Sequence, residues 1–441
     1  MVRTTFQFPT SGPSVLCIKG KYDMGNETNV TCEDVELTSE QGIFLKNCAW
    51  WIEVCGNLPI SIIGVVLNFI AVLVLSTSSM RSNFFNRLLF VLAIFDSLYL
   101  VCEISEVFRH RYPTFGQQHA FVNFVYPIRS VFMCSSIFMT IALTIERYQA
   151  ITNPIEYRAR GSSNMMKRLL CYVMPVLTFS ILYYIPKYVD LDVDEVLKCI
   201  NGTETRMIPI RPEINPEGTQ FVNCTIEYPL IPTPLRINHH YVLWYINISN
   251  LVLTAIIPVC ILLYLNCRIY SALKYFMQRQ PSAQLTTQTS IASTGSEMRS
   301  RSSDIKKTFI LFFIVIIFIL CHTIRMVLNV NEFLSLTRLI EIREKGCRNA
   351  TKFWVQIAVP INQLLIIINS SCNFFIYCFI DPAFQNVLRQ ACIAKRVPQR
   401  NDTMQTSQTI NREPKTSRLI RLQNNHTENI ELSNMNSIDR A

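Results

Sequence analysis

Residues 131–157 read VFMCSSIFMTIALTIERYQAITNPIEY. No charged side chain occurs from Val131 to Ile145; then Glu146-Arg147-Tyr148 arrives together, and the stretch leaves its apolar phase through Asn153-Pro154. An uncharged apolar helix of this kind suits a bilayer, whose core takes about 20 residues to cross. A charged triplet at the end of such a helix is costly unless it serves as an anchor or a switch. The stretch therefore sets the reading of the whole chain as membrane-embedded.

Composition agrees. Of 441 residues, 50% are hydrophobic and 16% are charged, and the mean hydropathy is positive at +0.24. Soluble domains carry about a quarter charged residues, and as soluble folds this length would predict about three of them. The apolar residues instead fall into seven blocks of spanning length, roughly 52–76, 85–108, 122–149, 167–189, 241–272, 306–331 and 354–379. The expected fold is an all-α membrane protein, a seven-transmembrane helix bundle with a short amphipathic eighth helix. Its expected regions are an extracellular segment 1–50, a seven-helix bundle 51–380, a membrane-surface helix 381–395 and a disordered cytoplasmic tail 396–441.

The net charge of +10 is unevenly placed. Lys and Arg outnumber acids on the side holding Tyr157, Lys274 and the C-terminus, whereas the opposite side is close to balanced. Lys and Arg remain cytoplasmic, which puts the N-terminus outside and the C-terminus in the cytosol, in the plasma membrane. An odd number of spans requires the same. Sequons at Asn26, Asn29, Asn201 and Asn223 all fall on the side expected outside, where glycosylation occurs. No apolar leader follows Met1-Val2-Arg3, so span one is expected to act as its own signal. The basic excess reads as a surface for membrane lipid and a cytoplasmic partner, not for nucleic acid, because no basic-aromatic interleaving accompanies it.

Two connections are long. The loop 190–240 is acidic and Pro-rich and carries Cys199 and Cys224; the loop 273–304 is Gln/Ser/Thr-rich and reads as disordered. After the seventh block, Asp381 to Ala394 has Phe384, Val387, Leu388 and Ile393 near helical spacing, as an interfacial helix requires. Cys392, beside Lys395 and Arg396, is either a palmitoylation site or an unmodified thiol.

Polar residues inside the blocks are few, so each calls for a reason. They are Asn68, Asp96, Ser135 and Ser136, and in block seven Asn369, Ser370, Ser371, Asn373 and Tyr377. Together with the Glu146-Arg147-Tyr148 triplet they resemble, position by position, the rhodopsin-like (class A) G protein-coupled receptors. Asn373 and Tyr377 correspond to the NPxxY motif, with Phe374 where the family has Pro. The resemblance implies a sodium ion held by Asp96, Ser136, Asn369 and Asn373 as an allosteric and not an obligatory cofactor; a hydrogen-bonded structural cluster is the other reading. Ile137, Pro258 and Phe318 resemble the family's Pro-Ile-Phe packing triad. In block six the family's Cys-Trp-x-Pro becomes Cys321-His322-Thr323-Ile324, which removes both the toggle aromatic and the hinge Pro and leaves His322 as the toggle equivalent or a satisfied core histidine. Asp304 lies eighteen positions before His322, five turns at about 3.6 residues each, and the resemblance implies that this sets it level with Arg147, if the two helices pack as in the family. An Arg147–Asp304 ion pair would close the resting state, with Arg147–Glu146 as the alternative.

Where amine receptors of the family carry an Asp, eighteen positions before Arg147, this chain has Arg129, and block seven contains no Lys for a retinal Schiff base. Arg129 argues against a biogenic amine as ligand, and the missing Lys excludes an opsin. The outer pocket is expected to hold Glu103, Glu106, Arg129, Arg325 and Glu332, a mixed set suited to a charged peptide. Alternatively, Glu106 and Arg129 pair only with each other and brace blocks two and three. The combination of ERY, NPIEYR, CHTIRMVLN and NSSCNFFIY resembles invertebrate neuropeptide receptors of the FMRFamide type across residues 50–395. Partners implied are an extracellular peptide, a heterotrimeric G protein, and arrestin and receptor kinases at the tail. No Cys lies between Cys102 and Cys134, so the family's span-three disulfide has no partner here; Cys199 and Cys224 are candidates to pair with each other, and Cys17, Cys32, Cys48 and Cys347 leave other pairings open. No nucleotide loop, metal cluster or catalytic triad is legible, and no residue is assigned a catalytic role. Rival readings are an orphan or chemosensory receptor with a non-peptide ligand, and a seven-span transporter, which would need inverted repeats or broken helices.

Overall fold

The computed structural model describes residues 38–160, 165–201, 204–209, 223–278, 291–344 and 352–394. Asn26, Asn29, Cys17, Cys32 and Cys347 lie outside them, as do the side chains of Cys199, Cys224, Asn201, Asn223, Asp304 and Cys392.

Among the described residues, seven helices are long and apolar enough to cross a membrane: span one Glu40–Leu75, two Phe84–Arg111, three Phe115–Thr152, four Met165–Val189, five Tyr241–Tyr275, six Thr308–Ser335 and seven Phe353–Phe379. Span three is the axle of the bundle, packing against spans two, four, five and six. Its apolar window is 67% buried against 11% for span four, which leaves span four to face lipid. The main core runs through the half that carries Arg147 and includes Phe85, Leu89, Ile137, Leu143, Ile314, Phe318 and Tyr377.

Three boundaries differ from the sequence reading. Span one begins a dozen residues early because Thr38 caps a helix at Ser39, with reciprocal Thr38 and Gln41 side-chain bonds, and the helix runs on through a π-helical segment Trp51–Asn57. The segment 291–304, expected to be disordered, is the first part of a helix running from Ile291 to Glu344. Once span six has nucleated that helix, each added residue gains a backbone hydrogen bond, and no Pro interrupts the run. The loop 190–240 carries strands where the sequence marked only an acidic, Pro-rich loop with a candidate Cys199–Cys224 pair: β1 Leu191–Val193 pairs with β5 Leu230–Pro232, and β2 Val196–Asn201 lies between β3 Glu204–Pro209 and β4 Asn223–Glu227. The β2–β4 register sets Cys199 directly opposite Cys224.

Helix breaks follow local chemistry. Span six runs unbroken past Ile324, as the missing Pro there leads one to expect. Span seven is interrupted at Cys372 although Phe374 replaces Pro. The cause is Asn68, whose Nδ2 donates to the Ser370 carbonyl at 2.8 Å and so takes that carbonyl out of the helical ladder. Close approach of spans one, two and seven depends on Gly64, where an added Cβ would overlap Ser371 and stand 2.8 Å from Leu100 Cδ1. In span five the π-helical segment Val252–Ile256 ends just before Pro258, whose missing N–H leaves carbonyls of the preceding turn unmatched. The amphipathic helix Pro382–Ala394 seats Phe384, fully buried, on Phe374 and Tyr377.

Candidate functional site

The strand-bearing end of the bundle holds a cavity of about 240 Å³ reached by spans two to seven. All five residues expected there, Glu103, Glu106, Arg129, Arg325 and Glu332, line it. Arg129 forms ion pairs with Glu106 and, at 3.4 Å, with Glu103. Gln363 of span seven donates to the other Glu103 oxygen, and Arg109 stands 3.8 Å from Glu106. Arg109 also donates to Gln118 at 3.0 Å and lies 4.0 Å over the Phe121 ring. Two carboxylates at such depth are tolerable only when paired, and the protein supplies both partners itself. Arg129 thus ties Glu103 and Glu106 of span two to span three, and the Glu106–Arg129 pair weighed from sequence is present.

Two basic residues of the cavity have a different setting. Lys187, which the sequence did not single out, donates to Ser130 Oγ at 3.0 Å and sits 4.5 Å from the Tyr126 ring centroid. Arg325 donates to Asn250 Oδ1 at 3.3 Å and Thr254 Oγ1 at 3.2 Å and contacts Met133 Sδ at 3.3 Å. Nearer the strands, Arg236 stands 3.4 Å from Asp190, which is fully buried and also accepts from Tyr126.

Midway along the bundle, Asp96 is fully buried; its Oδ1 accepts from Ser136 at 2.7 Å and its Oδ2 from Asn373 Nδ2 at 2.8 Å. Three of the four expected sodium ligands therefore converge. Asn369, the fourth, makes no side-chain hydrogen bond to Asp96 among the described residues; Ser370, next to it, approaches Asp96 instead. Ile137, Pro258 and Phe318 are all buried, the first and last in the main core. His322 is buried at 2% exposure and lies on Phe318, ring centroids 4.3 Å apart. It packs as a core residue.

At the opposite end Arg147 is 2% exposed, with its guanidinium 3.9 Å above the Phe85 ring. Tyr148 packs on the main core from a half-buried position. Glu146 has an environment that the triplet alone did not announce. Arg168 of span four donates to both its oxygens at 2.9 Å, Tyr157 to one at 2.6 Å and Tyr172 to the other at 3.1 Å. Burial, reinforced by the Glu146 carboxylate, pushes the Tyr157 phenol up to about 12. Arg168 reads in sequence as one more cytoplasmic-side cation, and only helix packing reveals its target. Tyr377 is buried with a hydroxyl that has no hydrogen-bond partner among the described residues. Asp304 lies on the helix leading into span six, its side chain outside the described residues.

Residues 67–377 match the family described as "7 transmembrane receptor (rhodopsin family)". Among curated proteins, the chain is similar to a protein named "FMRFamide receptor" from Drosophila melanogaster, 27% identical over 367 residues. That alignment covers 81% of this chain but 56% of the relative, so the chain spans little more than half the relative's length. The family is one of multi-pass membrane receptors and not of enzymes, and it responds to extracellular ligands through G proteins. With the match extending over most of the bundle, and with the Asp96, Arg147 and Tyr377 positions in place, this chain belongs to the rhodopsin-like, class A G protein-coupled receptors.

Proposed function

We propose that this receptor binds an extracellular neuropeptide of the FMRFamide type and passes the signal to a heterotrimeric G protein. The observation that carries the reading is the cavity, whose walls mix carboxylates, guanidiniums and an ammonium. Such a lining suits a ligand with both charges and many carbonyls, as a peptide has, and is poorly matched to a lipid. Similarity to the Drosophila FMRFamide receptor points the same way. Because Arg129 already engages Glu103 and Glu106, a ligand arginine reaches them by exchanging with Arg129, or meets Glu332.

Activation, in this reading, moves span six outward at the Arg147 end and opens a cavity for the G protein, with Arg147–Asp304 holding the resting state. The end bearing Arg147 faces the cytosol, where the tail meets arrestin and kinases, and the strand-bearing end, tied by Cys199–Cys224, faces outside. Sodium fits the Asp96 site: both carboxylate oxygens meet neutral donors, Ser136 and Asn373, so the charge lacks a basic partner among the described hydrogen bonds. A sodium ion there supplies the missing countercharge, with Asp96, Ser136 and Asn373 to hold it.

The test is a calcium and cAMP response screen of the surface-expressed receptor against amidated neuropeptides. Potent responses to peptides ending in Arg-Phe-amide are expected. Silence across the panel at verified surface expression would refute the neuropeptide reading and favour a non-peptide ligand.

A further inference from the structure

We propose that Lys187 and Arg325 form an anion-accepting subsite in the cavity, to which the peptide ligand presents a carboxylate; this rests on the neuropeptide reading above. The cavity's other cations are ion-paired: Arg129 with Glu103 and Glu106, Arg109 with Glu106, and Arg236 with Asp190, the acid whose charge also reaches Lys187. Lys187 and Arg325 are held, among the described residues, by neutral acceptors alone. Their anchors on span three, Ser130 and Met133, are one helical turn apart, with Cβ atoms about 5–6 Å from each other. The two cations therefore meet the same stretch of cavity wall.

Like charges placed side by side away from bulk water repel, and each also forfeits hydration. Neutral acceptors orient them without removing either cost. Glu332 is seven positions beyond Arg325 on span six, about 10 Å along the helix axis at 1.5 Å per residue, nearer the mouth. A carboxylate matches what remains: the guanidinium of Arg325 and the ammonium of Lys187 each offer it a charged donor, which their neutral partners do not neutralise. An acidic residue or a free C-terminus on the peptide supplies that group.

The probes are Phe-Met-Arg-Phe-amide, its free-acid form, and versions extended at the N-terminus by Asp or by Asn. Binding is measured to the full chain purified in lipid nanodiscs. One carboxylate-bearing probe is expected to bind about tenfold tighter than its neutral counterpart, as a charge-assisted pair warrants. In Lys187→Gln and Arg325→Gln the gap between the two probes is expected to shrink below about threefold, whatever each variant does to the affinity of the neutral probe itself. Equal binding of charged and neutral probes to the unsubstituted receptor, or parallel loss of both in the variants, overturns the proposal. Should no peptide bind, the neuropeptide reading fails and the subsite is judged by ligand-free stability. An unrelieved cation costs stability, so Lys187→Met is expected to raise Tm; an unchanged or lower Tm overturns the subsite.

Discussion

Arg168→Met is the perturbation that separates a structural clamp from a surface anchor. Glu146 is fully buried and Arg168 is 16% exposed, so the pair is screened far less than a surface salt bridge. Removing one member of a buried pair costs about 3–5 kcal/mol, because it strands the other charge. Two losses are avoided here: Tyr157 and Tyr172 still donate to the carboxylate, each worth about 1.5 kcal/mol or more to a charged acceptor. The partial exposure of Arg168 lowers the cost further, and about 2–3 kcal/mol is the expected loss. Met preserves the apolar stem that packs over Phe84, from whose ring the guanidinium stands 4.3 Å, so the charge alone is tested. The assay is thermal unfolding of the purified receptor followed by tryptophan fluorescence, where such a loss lowers Tm by several degrees. The double variant Glu146→Gln/Arg168→Met is expected to fall less than the sum of the single variants, since the two groups share one interaction. An unchanged Tm in Arg168→Met, or strict additivity in the cycle, would refute the clamp.

Other outcomes follow from the same geometry. Tyr157→Phe removes the 2.6 Å bond to Glu146 and is expected to cost about 1.5–3 kcal/mol at neutral pH, read as a lower Tm. Because the Tyr157 phenol is raised from 10.0 to about 12 in the folded protein, its contribution is complete below pH 10 and lost as pH climbs through about 12. The Tm gap between the unsubstituted protein and Tyr157→Phe should narrow across that window; a gap that widened there would contradict the sign. Gly64→Val places methyl groups into Ser371 and Leu100 and is expected to abolish surface expression, whereas normal expression would mean that spans one and seven are not held this closely. Asp304→Ala is expected to raise basal signalling at matched surface expression, and unchanged basal signalling would remove Asp304 from the resting-state lock.

Sequence alone determined the number of spans, because crossing a bilayer demands long uncharged runs whatever the packing. It also placed Asp96, Ser136 and Asn373 in one cluster and all five cavity residues in one cavity, since a buried polar residue in lipid needs partners and these were few. What sequence left undecided were the pairings. Glu146 stands beside Arg147 in the chain, yet Arg168, 22 positions further along, reaches it only because span four packs there. Arg129 takes both Glu103 and Glu106, and Lys187 enters the cavity from the end of span four. Span seven breaks without a Pro because Asn68, on another helix, claims a carbonyl. Periodicity and charge report what each segment needs from its surroundings; which neighbour satisfies the need is fixed by distances between helices, and those exist only in the folded bundle.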